Sequence, residues 1–131
     1  MRSASLSLVN VTSSYLQKPA TRKLRNWQRR YTRHRADFPL NASLLRENGY
    51  LQLSGRCGDL GHGGMGAVLT AEVAKDEVLS LGFSLPGLPG PLVVRAIVRY
   101  AKGLLHGFEF LGLSPEQQAA IDDYCATLPP M

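Results

Sequence analysis

The chain is poor in cysteine: Cys57 and Cys125 are its only two in 131 residues. Two thiols allow one disulfide at most and imply no cross-linked framework, so both are expected to be buried free thiols in a reducing cytoplasm. No apolar run approaches the roughly 20 residues that cross a bilayer. The opening stretch Leu6 to Val11 is too short, and too broken by Ser7 and Asn10, for a secretory leader. Catalytic signatures are missing as well. There is no Gly-x-Ser-x-Gly elbow to carry a hydrolase nucleophile. The glycine-rich run Gly61 to Gly66 lacks the Walker lysine and leads into a strand pattern rather than a helix, so neither nucleotide-binding glycine loop fits. His34, His62 and His106 are scattered, with no second ligand at metal spacing, and are expected on the surface or in loops. These absences point away from an enzyme and toward a binding module.

Acid is absent from the first 35 residues. They carry nine of the fifteen basic residues and none of the ten acidic ones, a formal charge of +9. The remaining six basic residues face all ten acids, which makes the rest of the chain −4. The net charge of +5 is therefore a basic arm joined to a mildly acidic body, and the arm attracts polyanions. Residues 1–27 are rich in Ser, Lys and Arg and poor in large apolar groups, so they are expected to form a flexible basic arm with one helical turn around Thr21 to Gln28. Residues 28–131 are expected to form the folded domain.

The densest part of the charge is Gln28-Arg29-Arg30-Tyr31-Thr32-Arg33-His34-Arg35, just ahead of the first clear strand. Arginine's planar fork matches phosphate oxygens and the O6/N7 edge of guanine, and its flat cation stacks on a base. Such a cluster reads as a phosphate or nucleotide reader.

Beyond it, the pattern is one of strands. Phe38 to Arg46 and Tyr50 to Cys57 flank Glu47-Asn48-Gly49, a hairpin signal. Met65 to Val73, Val78 to Leu85, Leu92 to Tyr100 and Leu104 to Leu113 each alternate apolar and polar residues with period two. Pro86-Gly87-Leu88-Pro89-Gly90-Pro91 can continue neither strand nor helix. One helix follows. Ser114 caps it, Pro115 suits its first position, Gln117 completes a capping box, and Ile121, Tyr124, Cys125 and Leu128 form its apolar stripe before Pro129-Pro130 stops it. The expected fold is mainly all-β: a six-stranded antiparallel β-barrel, closed to remove exposed edges, with a C-terminal helix against it.

A second short element, Asp59-Leu60-Gly61-His62-Gly63-Gly64, sits at a strand end about 25 residues after the arginines. Taken together, the chain resembles the PilZ domain family, bacterial receptor modules for cyclic di-GMP, over residues 29 to about 126. Arg29 and Arg33 match the family's Arg-x-x-x-Arg element, followed by Phe38-Pro39-Leu40. Asp59 and Gly64 match Asp/Asn-x-Ser-x-x-Gly, and the Val94 to Tyr100 strand and Gly107-Phe108-Glu109-Phe110 follow the family's text. One position departs: Gly61 stands where the family has serine, which removes a hydroxyl worth about 0.5 to 1.5 kcal/mol if it bonded the ligand.

The resemblance implies a cyclic di-GMP receptor without catalysis or cofactor. Its ligand set is Arg29, Arg30, Arg33, Asp59, Gly61 and Gly64, with Arg35 and Gly63 as additions. Arg29 and Arg33 clamp phosphate or a guanine edge by charge-assisted pairs; Arg30 and Arg35 serve the other phosphate or stack. Asp59, with acceptors only, suits guanine's N1 and N2 donors or else caps its own turn. Gly63 and Gly64 are expected to allow positive φ and close backbone approach. The resemblance also implies a switch, in which the arm repositions on ligand binding and regulates an unidentified protein partner in motility, biofilm or secretion outputs. Two rivals remain: an adaptor of the same fold that no longer binds the nucleotide, favoured by Gly61, and a small nucleic-acid-binding barrel. The second wants aromatics on an exposed strand face, whereas Phe83, Tyr100, Phe108 and Phe110 fall on core faces and the body is acidic.

Overall fold

The computed structural model describes residues 31–131. The expected arm over residues 1–27, with its helical turn, and Arg29 and Arg30 lie outside the described residues. Six antiparallel strands are formed: β1 (Arg33–Arg46), β2 (Gly49–Gly61), β3 (Gly64–Leu69), β4 (Val78–Phe83), β5 (Leu92–Lys102) and β6 (Leu105–Leu111). Helix α1 (Pro115–Cys125) follows them. The strands close into a barrel in the order β1-β2-β3-β6-β5-β4, two three-stranded meanders joined along β3–β6 and β1–β4.

Period-two patterning builds the interior. Ala36, Phe38, Leu40, Ala42 and Leu44 of β1 point inward, as do Leu79, Leu81 and Phe83 of β4, Val94, Ala96 and Val98 of β5, and Phe108 and Phe110 of β6. Phe38 stacks on Phe83 with ring centroids 5.4 Å apart and meets Tyr124 of α1 edge-on at 6.2 Å, so the helix is anchored on the same core. Ser114 caps α1: its hydroxyl accepts from the Gln117 amide at 3.1 Å while the Gln117 side chain accepts from the Ser114 amide at 3.0 Å. Loss of such a cap costs about 1 kcal/mol. Ile121 is fully buried beneath it.

Besides shifts of a few residues at other strand ends, four departures from the sequence pattern have a clear physical cause. First, β1 begins at Arg33, five residues before Phe38, because its first residues find partners on both sides. Arg33, His34 and Arg35 pair with Gly61, Leu60 and Asp59 of β2. Along the other edge, the Arg35 amide donates to Pro129 O at 3.2 Å and the Met131 amide donates to Arg33 O at 3.0 Å. Part of the arginine cluster is therefore strand, tied down by the segment after the helix. Second, β3 ends at Leu69 rather than Val73, since the Val73 amide leaves the ladder and donates to His106 Nε2 at 3.0 Å. Third, His106 is consequently not a surface residue but 1% exposed; with Nε2 accepting, its Nδ1 carries the proton and donates to Leu104 O at 2.7 Å. Fourth, α1 stops at Cys125, short of Leu128, and the chain leaves it through turn bonds from Thr127 to Tyr124 O and from Leu128 to Cys125 O.

Among the described residues, no helix is long and apolar enough to cross a membrane. Both cysteines are buried and free.

Candidate functional site

The start of β1, the end of β2 and the start of β3 lie side by side, and an irregularity in β2 decides what faces outward there. Between Cys57 and Asp59 the pairing with β3 skips Gly58, and between Arg35 and Phe38 the pairing with β2 skips too. Such a bulge reverses the in-and-out alternation. Cys57 points into the barrel, and without the bulge Asp59 would follow it; instead Leu60 is buried and Asp59 is turned outward. A carboxylate aimed at the core is avoided, and Asp59 joins Arg33 and Arg35 on the outer face.

There Arg33 and Asp59 form an ion pair through Arg33 Nη1 and Asp59 Oδ1. The two side chains are only 16% and 25% exposed, which sets them apart from ordinary surface pairs. Asp59 Oδ1 also accepts from the Gly66 amide at 3.1 Å. The pair runs diagonally across the ladder, since Arg33 stands opposite Gly61 and Asp59 is two residues along β2 on the same face. It lies flat because the ground under it is bare. A Cβ on Gly61 would come within 3.0 Å of Arg33 Cδ and 2.8 Å of Thr32 O, and a Cβ on Gly66 would come within 2.5 Å of Asp59 Oδ2. Gly66, absent from the residues singled out by sequence, is thus part of the seat. The available signal was its place opposite Asp59 in the strand pairing, which needs the bulge to be known.

The remaining predicted residues are accounted for individually. Arg35 pairs opposite Asp59, with its side chain exposed. Gly64 pairs with Glu109 of β6, and Gly63 O accepts from the Phe110 amide at 2.9 Å. The expectation of positive φ at Gly63 and Gly64 is not met: glycines with positive φ are Gly49, Gly87, Gly103 and Gly112. Gly64 serves close approach instead, since a Cβ there would overlap the backbone carbonyl of Phe108. Between Gly61 and Gly63, His62 Nδ1 lies 2.8 Å from Asp122 Oδ1, and Gln118 Nε2 donates to His62 O at 3.0 Å, so the β2–β3 turn is fastened to α1.

Below the pair are the two thiols. Cys57 Sγ donates to Asp59 O at 3.2 Å, and Cys125 Sγ donates to Leu60 O at 3.7 Å. Burial pushes the Cys57 thiol up to about 12, against the pull of the Arg33 cation, and pushes Cys125 up to about 11. They are inert thiols at neutral pH rather than nucleophiles. Burial also lowers the Arg33 pKa from its ordinary value, with Cys57 and Cys125 acting in the opposite sense; an arginine nonetheless stays a cation. Among the described residues no three His, Cys, Asp or Glu side chains are grouped as a metal site requires. What the arrangement offers is a guanidinium fork and a carboxylate laid over side-chain-free backbone that they bury at Gly61 and Gly66, chemistry suited to a polar anion.

Comparison with known proteins gives a consistent picture. The PilZ domain family model matches residues 27–127. The PilZ domain of YcgR from Escherichia coli, solved with c-di-GMP, is 22% identical, with a TM-score of 0.60 over 77% of this chain and 91% of that one. The PilZ domain of CeSA from a cellulose-synthesising bacterium is 19% identical, with a TM-score of 0.54 over 68% of this chain and 89% of that one. The Bacillus subtilis inhibitor of motility MotI/DgrA, 19% identical, superposes with a TM-score of 0.60 over 75% of this chain, which spans 49% of that protein. At these identities the structural likeness shows the fold. No curated protein matches the chain.

Proposed function

The chain belongs to the PilZ domain family, and from that premise we propose that it is a receptor for cyclic di-GMP, a binding module and not a catalyst. The observation that supports this most is the meeting of Arg33 and Asp59, one from each of the two elements that carry the resemblance, on one outward patch of β1 and β2. In this reading Arg33 grips a phosphate or the O6/N7 edge of a guanine, with Arg29, Arg30 and Arg35 serving the rest of the dianion. Asp59 accepts from guanine N1 and N2, while Gly61, Gly63 and Gly64 let the ligand approach the backbone. Screening of the nine like charges in residues 1–35 by two phosphates then favours closure of the basic arm over the Asp59 to Gly64 surface, which alters the face offered to a protein partner.

Titration calorimetry with cyclic di-GMP on the wild type, Arg29→Ala and Arg33→Ala tests the assignment. Saturable wild-type binding, lost or at least tenfold weaker in both variants, is expected. Binding unaffected by either arginine would overturn the site. A nucleotide-independent adaptor is favoured by Gly61 in place of serine and by Arg33 being already engaged; it predicts no heat of binding with cyclic di-GMP and no protection of the arm from proteolysis. A nucleic-acid barrel is less favoured, because among the described residues all four phenylalanines are buried and the exposed aromatics are two tyrosines, Tyr31 and Tyr50.

A further inference from the structure

The seat under Arg33 has a consequence for how such a site fills. The guanidinium that would grip a phosphate is not waiting in solvent. It is laid along β2 with its charge spent on Asp59, the group that would accept from a guanine. Three features of the chain hold it there. Arg33 is fixed at its backbone by pairing with Gly61 and by the Met131 amide bonding its carbonyl at 3.0 Å. Asp59 is oriented by the Gly66 amide at 3.1 Å. Between the two, Gly61 contributes no side chain, and the Arg33 side chain lies close to where a Cβ would stand, with Cδ at 3.0 Å and Nε at 3.6 Å.

We infer that Gly61 is an affinity-setting residue: by leaving the ground between Arg33 and Asp59 bare it permits an internal ion pair, and that pair competes with an incoming dianionic dinucleotide for both partners. The inference rests on the receptor reading and goes beyond it. A missing hydroxyl at 61 removes one contact with a ligand; a missing Cβ changes the unliganded protein itself. The two effects separate by substitution. A Cβ at 61 would stand 2.8 Å from Thr32 O, a backbone atom tied to the fixed Arg33 peptide, and 3.0 Å from Arg33 Cδ, so the flexible Arg33 stem is the neighbour that yields and its reach to Asp59 is disturbed. Freed of Asp59, Arg33 swings outward and the ligand no longer has to break the pair. Charged hydrogen bonds of this kind are worth about 1.5 kcal/mol or more, so release corresponds to roughly tenfold tighter binding.

The test uses the full chain, with Gly61→Ala and Gly61→Ser beside the wild type and two readouts. The first needs no ligand: rotation of the Arg33 guanidinium, followed by NMR of its side-chain nitrogens, is expected to be slow in the wild type and fast in both variants. The second is affinity for cyclic di-GMP by calorimetry, expected to rise roughly tenfold for alanine and at least as much for serine. If serine tightens binding and alanine does not, the hydroxyl is responsible and the inference is overturned. Arg33 held equally in all three proteins overturns it too, whatever they bind. If Arg33 is released but no protein binds the nucleotide, the ion-pair lock stands and the receptor assignment falls. Should Gly61→Ala fail to fold, Asp59→Asn keeps the shape and removes the charge; the guanidinium must then rotate freely, and if it does not, the lock is refuted.

Discussion

Each end of β1 carries an arginine paired with a carboxylate, and the two pairs are built differently. At the far end, Arg46 reaches Glu77 with both guanidinium nitrogens, at 2.9 and 3.3 Å, yet the side chains remain 43% and 32% exposed. At the near end Arg33 meets Asp59 at 16% and 25% exposure, over two glycines and above two buried thiols. The better fork geometry belongs to the wetter pair. Hydrogen-bond count therefore does not rank them; shielding from water does, because Coulomb attraction grows as the local dielectric falls and an unpaired charge costs more there. One end is a surface pair, and the other is a polar patch partly withdrawn from solvent.

Beside the near pair, Gly64 closes β3 against β6. Gly64→Ala forces a Cβ into the Phe108 carbonyl, a backbone atom with nowhere to go, and is expected to cost about 3 kcal/mol in denaturant unfolding, the largest effect of the set. A loss under about 0.5 kcal/mol would mean that the β3–β6 contact is looser than described. Next come the carboxylates. Asp59→Ala strands a half-buried Arg33 and is expected to lose about 2 kcal/mol, whereas Glu77→Ala is expected to lose under about 0.5 kcal/mol. Equal losses would erase the distinction between the ends of β1.

The thiols sharpen it in a narrower window. Burial holds both above the ordinary thiol value, Cys57 at about 12 and Cys125 at about 11. The folded protein then holds protons that the unfolded chain releases, so the stability they contribute is intact below pH about 9 and is lost as pH climbs toward 11 and 12. Urea midpoints measured from pH 8 to 11 are expected to fall with pH, and less steeply in Cys57→Ala; an equal slope in the two proteins would put the alkaline sensitivity elsewhere. The smallest effect is at neutral pH, where neither thiol is expected to react with a maleimide until the protein unfolds.

Much of the barrel could be read from the chain because its inward residues keep period two, as in Ala36 to Leu44 and Leu79 to Phe83, and because Ser114-Pro115 with Gln117 marks a helix start by local chemistry alone. What escaped was non-local. The start of β1 looked like an arm, since its outward residues are arginines and its second partner is Pro129 to Met131, some 95 residues away along the chain. The bulge at Gly58, which turns Asp59 outward, leaves no periodic trace in so short a segment. His106 read as a surface residue because nothing in its neighbours announces the Val73 amide it satisfies. Of the candidate site, Arg33, Asp59, Gly61 and Gly64 were singled out through the family resemblance, whereas Gly66 became visible only with the register.

In the proposed receptor the near end of β1, and not the far end, receives the dinucleotide. Backbone amide NMR of the full chain during titration with cyclic di-GMP addresses it directly. Saturable shifts at Arg33, Asp59, Gly61 and Gly66, with Arg46 and Glu77 unmoved, are predicted; a spectrum that stays the same at saturating nucleotide, or shifts centred on Arg46 and Glu77, would contradict it.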